Sequence, residues 1–297
     1  MTFAVTFYDV SVWLHVSAVV VGFGATFAES VTFPVAMKMS VRHLPFVHRL
    51  GITINQRLAT PALVLIVITG IYQTADRWEF SQFWISATFL IALILGGLNG
   101  AYFIPSDRKL APLVERDLAA GGEPSEAYLA QAKRQGNIGA LAGVLVLIAI
   151  FLHITAVVVG FGATFAEAIM FPVAMKTGKQ HLPYVHRLQL AINQRMATPA
   201  LALIIITGIY QTAKNWEFSD FWISATFLIA LILGGLSGAY FIPGEKKLLE
   251  QVEGELAAGG ELSEDYQRKA RQMGMVGAFA GLLVLLAVFF MVTKPGA

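Results

Sequence analysis

The six histidines of this 297-residue chain are its only side chains that ordinarily change charge near neutral pH. They fall in three pairs, His15/His153, His43/His181 and His48/His186, whose members stand 138 positions apart. His15 lies within Trp13-Leu-His-Val-Ser on an apolar run, where an ionisable group is costly and usually faces a site or a cavity. A neutral imidazole there could serve as an axial ligand of haem iron, or be a core histidine bonded to a backbone carbonyl. Glu29 and Arg57, repeated as Glu167 and Arg195, form a second constellation. Counted from the neighbouring polar loop, both come out roughly 15 Å deep at helical rise, so they are expected to meet. Their pairing would be a buried salt bridge that fixes helix packing. Alternatively, Arg57 would bind a propionate or another anion, with Glu29 and Asn55 orienting it. His48 and His186 are further cofactor candidates at a helix entrance. His48 lies roughly 20 Å from His15 along the membrane normal, so one iron should not take both. A methionine–histidine copper site at Met37, Met39, His43 and His48 is disfavoured, because Met39 becomes Thr177 in the repeat.

The elements that must position these groups are apolar. Hydrophobic residues make up 56% of the chain, charged residues 13%, and the mean hydropathy is +0.66. Soluble domains carry about a quarter charged residues, and the uninterrupted apolar runs are long enough to cross a bilayer core of roughly 30 Å. The composition predicts an all-α integral membrane protein in contact with the lipid bilayer. A net charge of +2 without a dense basic run gives no sign of nucleic-acid binding. The absence of cysteine excludes disulfides, thiolate metal sites and cysteine nucleophiles. The N-terminus reads as a first membrane helix and not as a cleaved signal peptide.

The repeat runs in register from the first histidine to the last helix, and roughly three quarters of positions 15–105 match, the mark of a tandem duplication. Apolar runs cover about 8–35, 45–75 and 83–104, the last stopped by Pro105, and a fourth begins near Gly136. Between them, residues 106–135 read as an exposed helical hairpin capped by Ser106 and Ser125, with no chemistry assigned. Small faces at Gly22 and Gly24, at Gly96, Gly97 and Gly100, and at Gly139 and Gly143 suit close helix packing, and they would also admit a flat macrocycle. From Asn137 to Val173 no turn signal separates the copies. One continuous helix there would give seven spans with inverted halves; a tight turn near 150–153 gives eight with parallel halves. Lys38, Arg42 and Arg49 in one loop, and Lys176, Lys179 and Arg187 in its copy, favour parallel halves in the cell (inner) membrane, with basic loops cytoplasmic and termini outside. Two four-helix units result, 1–150 and 151–297, related by pseudo-twofold symmetry.

The pattern Leu14-His15-Val16 with Gly22 and Gly24, then Arg57-Leu-Ala-Thr-Pro61-Ala, Thr69-Gly70-Ile-Tyr72 and Trp84, resembles a broad superfamily. It includes small four-span membrane proteins, copper-resistance D-type membrane domains and HemJ-type protoporphyrinogen oxidases. The resemblance implies haem b at His15 and His153, one haem per unit. It gives redox chemistry on oxygen, nitric oxide or a porphyrin, an unidentified redox partner, and a possible role as a haem-dependent oxidoreductase. The lysine expected on the third span of the oxidase type is absent, since Ser86-Ala87-Thr88 occupies that region. Protonatable Glu29 could couple protons to the redox step. The competing expectation is an ion or small-anion transporter whose buried Glu29, Asn55 and Arg57 line the path.

Overall fold

A computed structural model describes residues 5–149 and 152–295; the side chains of 147–149, 152 and 153 lie outside that description. Among the described residues all the regular structure is helical. Twelve α-helices follow in order: α1 Phe7–Met39, α2 Leu44–Ile54, α3 Thr60–Arg77, α4 Phe83–Gly97, α5 Ile104–Gly121, α6 Glu126–Ala149, α7 Leu152–Thr177, α8 Leu182–Ile192, α9 Thr198–Asn215, α10 Phe221–Gly235, α11 Ile242–Ala257 and α12 Glu264–Thr293. Several run on into one another, and seven helical runs among the described residues are long and apolar enough to cross a membrane. The protein is a multi-span membrane protein.

Local signals set the helix ends. Thr6 and Asp9 exchange hydrogen bonds as a capping box at the start of α1. Gly122 closes α5 in the left-handed region, and the Ser125 hydroxyl caps α6 at the Tyr128 N–H. Ser106 does not cap, because helix is already established at Ile104; its hydroxyl donates to Gln135 instead. Nor does Pro105 stop the third span. A π-helical turn, Leu98–Phe103, lies just before it and carries the helix through. Pro61, Pro199 and Pro243 have the same companion in Asn55–Ala59, Asn193–Ala197 and Leu236–Phe241. A proline lacks an N–H and crowds the carbonyl four residues back, and widening the helix by one residue accommodates both.

The continuous runs overreach the bilayer. Val41–Arg77 spans 37 residues, about 55 Å of helix against a hydrocarbon core of roughly 30 Å. The Trp78–Trp84 and Trp216–Trp222 edge pairs mark one interface. A core of roughly 20 residues measured from Trp78 and Trp84 ends near Leu58 and Ile104. Contacts of Phe7 with Tyr72 and of Tyr8 with Arg77 put the start of α1 at the tryptophan level, so its core ends near Glu29. The extensions beyond form the most densely buried part of the molecule, where Leu44, Phe46, Leu50, Leu110, Tyr128 and Tyr184 are fully buried. Within the bilayer α4 is apolar all round and buries only Ile85 and Ala92, as a lipid-facing helix does.

The two sets of helices meet along α1 and α7, which cross at Gly24 and Gly162 with backbone against backbone. Toward the basic loops, His43 reaches His181 and the Tyr184 hydroxyl donates to the Thr32 carbonyl at 2.6 Å. At the other end Val16 and Ile154 line one cavity. α1 and α7 therefore run parallel. α6 climbs from Tyr128, beside His48, to Gly143, beside Phe27, and so runs against α1. The turn expected near 150–153 falls at the junction that lies outside the described residues. A Cβ at Gly24 would overlap Gly162, whereas one at Gly97 would meet nothing. Gly24→Ala should cost about 1–3 kcal/mol of stability in detergent and Gly97→Ala far less, so equal denaturant midpoints would contradict the crossing.

Candidate functional site

Two buried acid–imidazole clusters lie on the basic-loop side of the hydrocarbon. In the first, Pro45 starts α2 and places His48 in its first turns, facing α5. Asp107 enters from α5 directly after the π turn, and Tyr128 from the first turn of α6. The His48 Nδ1 lies 2.8 Å from Asp107 Oδ1, and its Nε2 lies 2.8 Å from the Tyr128 hydroxyl. Gln135 donates to the same Asp107 oxygen at 2.6 Å. The second cluster joins His186 Nδ1 to Glu245 at 2.5 Å and His186 Nε2 to Tyr266 at 2.7 Å. Both ring nitrogens of each histidine are thus engaged by protein groups, which leaves no lone pair for iron.

A second carboxylate adjoins each triad. Asn55 donates to Glu29 at 2.9 Å and to the Gly51 carbonyl at 3.0 Å, and Asn193 does the same for Glu167 and the Gln189 carbonyl. Asp107 faces the same stretch of helix, since a Cβ at Gly51 would lie 2.9 Å from its Oδ2. The expected Glu29–Arg57 pair is not formed. Arg57 and Arg195 are exposed, and among the described residues neither has a carboxylate within 4.0 Å. A shared depth does not make them meet: Asn55 opens the π turn facing Glu29, and Arg57, two places later, points away from it. An exposed guanidinium at the bilayer margin can extend to water or lipid phosphate. Arg49 and Arg187 are engaged at the surface by Glu115 and Glu253. Among the described residues each cluster accordingly holds two acids and one imidazole, with no lysine or arginine within 4.0 Å of either acid.

His15 belongs to the other end of the molecule. Its Nδ1 lies 2.8 Å from the Thr69 hydroxyl, which itself donates to the Leu65 carbonyl at 2.6 Å. With the hydroxyl proton on the Leu65 carbonyl, Nδ1 is the donor and Nε2 carries the lone pair. Gly70 faces the ring closely, and a Cβ there would lie 3.4 Å from Cε1. Arg57 lies twelve residues before Thr69 on the same helical run, about 18 Å away. It is no part of the surroundings of His15. The side chain of His153 lies outside the described residues.

His43 and His181 are brought together between the halves, Nδ1 to Nδ1 at 3.3 Å, with His43 stacked on Tyr184 and His181 on Phe46. Among the described residues no three His, Asp or Glu groups converge as a metal site would need. Asp107, Tyr128, Glu245 and Tyr266 were missed because they stand in or beside the polar hairpin. The available signal was that an acid and a tyrosine recur there at the repeat offset. Replacing Asn55 by Ala strips Glu29 of its donor and should cost about 1–3 kcal/mol. Arg57→Ala should stay within about 0.5 kcal/mol, and chemical unfolding of both in detergent separates them.

Comparisons with curated proteins and with solved structures find no match. The profile of the family described as "Predicted integral membrane protein (DUF2269)" matches residues 147–295, half of the chain, including the second acid–imidazole cluster. With several membrane-length apolar helices already in place, the match assigns the family: the chain belongs to the DUF2269 family of predicted integral membrane proteins.

Proposed function

We propose that the protein is a proton-coupled membrane transporter, in which the two acid–imidazole clusters take up and release the coupling proton. The observation that supports this reading is the charge balance of the clusters. Glu29 and Asp107 both face the Gly51–Asn55 stretch of the helical run that carries His48, and among the described residues neither has a lysine or arginine within 4.0 Å. Two ionised acids in so dry a place are unfavourable unless a proton or a cation joins them. A proton suits the geometry better than a metal, since the groups form a chain and do not converge on a point. Tyr128, His48 and Asp107 offer a path of donors and acceptors from the polar hairpin. Glu29 and Asn55 stand at its membrane end, at the margin of the hydrocarbon, where a change of charge alters the cost of moving α1 against the bilayer.

In liposomes carrying an internal pH dye, the full chain should pass protons under an imposed gradient. Glu29→Gln with Glu167→Gln should reduce the flux about tenfold or more. Flux no greater than in protein-free liposomes would sink the proposal, and so would wild-type flux in the double variant.

A second reading rests on His15. The bond from its Nδ1 to Thr69 holds the imidazole in the tautomer that presents Nε2, the arrangement that orients an axial histidine. In this reading His15, and by sequence His153, would each hold a haem b, which supplies electron transfer or chemistry on a small ligand when bound. The chain's own part is to ligate through Nε2, fix the ring through Thr69 and keep water out. Purified protein would then show a Soret band that His15→Ala plus His153→Ala removes. A preparation without that band disposes of the haem reading and leaves the proton reading untouched.

A further inference from the structure

At the tryptophan end, α7, α9, α10 and α12, with Val16 of α1, line a half-open apolar cavity of about 320 Å3. Its lining includes Val157, Ile204, Gly208, Phe227, Ala230 and Val288, with Trp216, Trp222 and Lys294 at the tryptophan level. Three observations there point to a ligand with an acyl chain and an anionic head. The lining is almost wholly hydrocarbon, so what enters is apolar along most of its length. Trp222 is only 8% exposed, yet its indole N–H is buried with no acceptor, a rare and costly state for a donor. The Lys294 ammonium lies over the Trp216 ring at 4.2 Å and 5.7 Å from the Trp222 ring centre. Among the described residues Lys294 is the only one other than glycine in the left-handed region, with φ 44°, and it lines the cavity.

The corresponding place among the first helices is covered. Phe7 packs its ring against Tyr72 at 5.0 Å, Arg77 sits 3.7 Å over the Tyr8 ring, and Gln73 donates to Ser11. Around the second set, Tyr210 is 62% exposed and Gln211 lines the cavity. Among the described residues no aromatic ring packs against Tyr210 as Phe7 does against Tyr72.

We propose that this cavity binds one acyl chain whose anionic head accepts hydrogen bonds from the Trp222 indole and the Lys294 ammonium. A long-chain carboxylate and a phosphate-headed lipid share that chemistry. The site shares no residue with the acid–imidazole clusters and does not depend on the proton reading.

The test titrates the purified full chain, in neutral detergent, with tritiated palmitate in a scintillation-proximity assay. Tritiated hexadecanol supplies the same chain with a neutral head, and unlabelled hexadecyl phosphate competes as the phosphate source. Palmitate should bind saturably, and hexadecanol about tenfold or more weaker, the loss expected when a charge-assisted bond is removed. Lys294→Gln should weaken palmitate by a similar factor, and Ala230→Phe, which fills the cavity, should abolish binding. Competition by hexadecyl phosphate stronger than by unlabelled palmitate identifies a phospholipid as the source, and weaker competition a free fatty acid; both uphold the site. Non-saturable uptake, equal affinity for acid and alcohol, or Lys294→Gln binding like wild type would overturn it. Lys294 lies at the helix end, so that variant decides the matter should Ala230→Phe fail to fold.

Discussion

Where α1 crosses α7, Gly24 and Gly162 have no side chains to keep the two backbones apart, and the rest of the molecule is arranged around that approach. In lipid there is little hydrophobic drive between helices, so close packing must supply the association. Gly22 and Gly160 extend the contact by admitting Ala62 and Ala200 from α3 and α9. Because α1 and α7 run the same way, the basic loops that follow them emerge together. His43 and His181 then meet, and the Tyr184 hydroxyl reaches the Thr32 carbonyl across the interface. Side chains at the two glycines would push the pair apart and undo these contacts first.

The order of apolar runs, their lengths and the repeat are legible in the sequence, because bilayer thickness imposes a coarse and uniform requirement. What could not be read was where the bilayer stops. Val41 to Arg77 reads as one hydrophobic span with Arg57 inside it, yet it combines a membrane helix with an extension that packs like a soluble core. Counting depth from the loop put Arg57 and Glu29 deep in lipid; measuring from the tryptophans puts both at the margin. Pro105 was misread for a related reason. A proline usually ends a helix, and nothing in the local pattern announces that a π turn has accommodated it. Asp107 and Tyr128 went unnoticed because they lie in a polar stretch, where a charge attracts no attention until the fold buries it.

The two clusters also show which parts of the site tolerate change. Histidine and tyrosine are kept, and the aspartate becomes the longer Glu245. Around them the polar contact of Ser106 with Gln135 is replaced by Gly244 against Met273, and Gly51 by Gln189. The surroundings have been rebuilt while an acid still reaches the imidazole. A wall needed only for packing could have replaced the acid, the imidazole and the phenol together by apolar residues at little cost. Instead the imidazole and the phenol recur, and an acid, aspartate or glutamate, meets the imidazole in both.

The π turns have one more consequence, best stated as a matter of phase. Each successive residue of an α-helix turns by about 100°, and a π turn inserts one residue into that count. Asn55 opens the turn facing Glu29, while Arg57, two places later, points away from it. Beyond the turn the helix resumes its rhythm one beat late, so a hydrophobic face traced up from the loop no longer predicts the face presented to α1. The same slip is written into Asn193–Ala197, and the face traced from that loop shifts likewise. One helical run thus serves two environments, with its inner face set separately on each side of the slip.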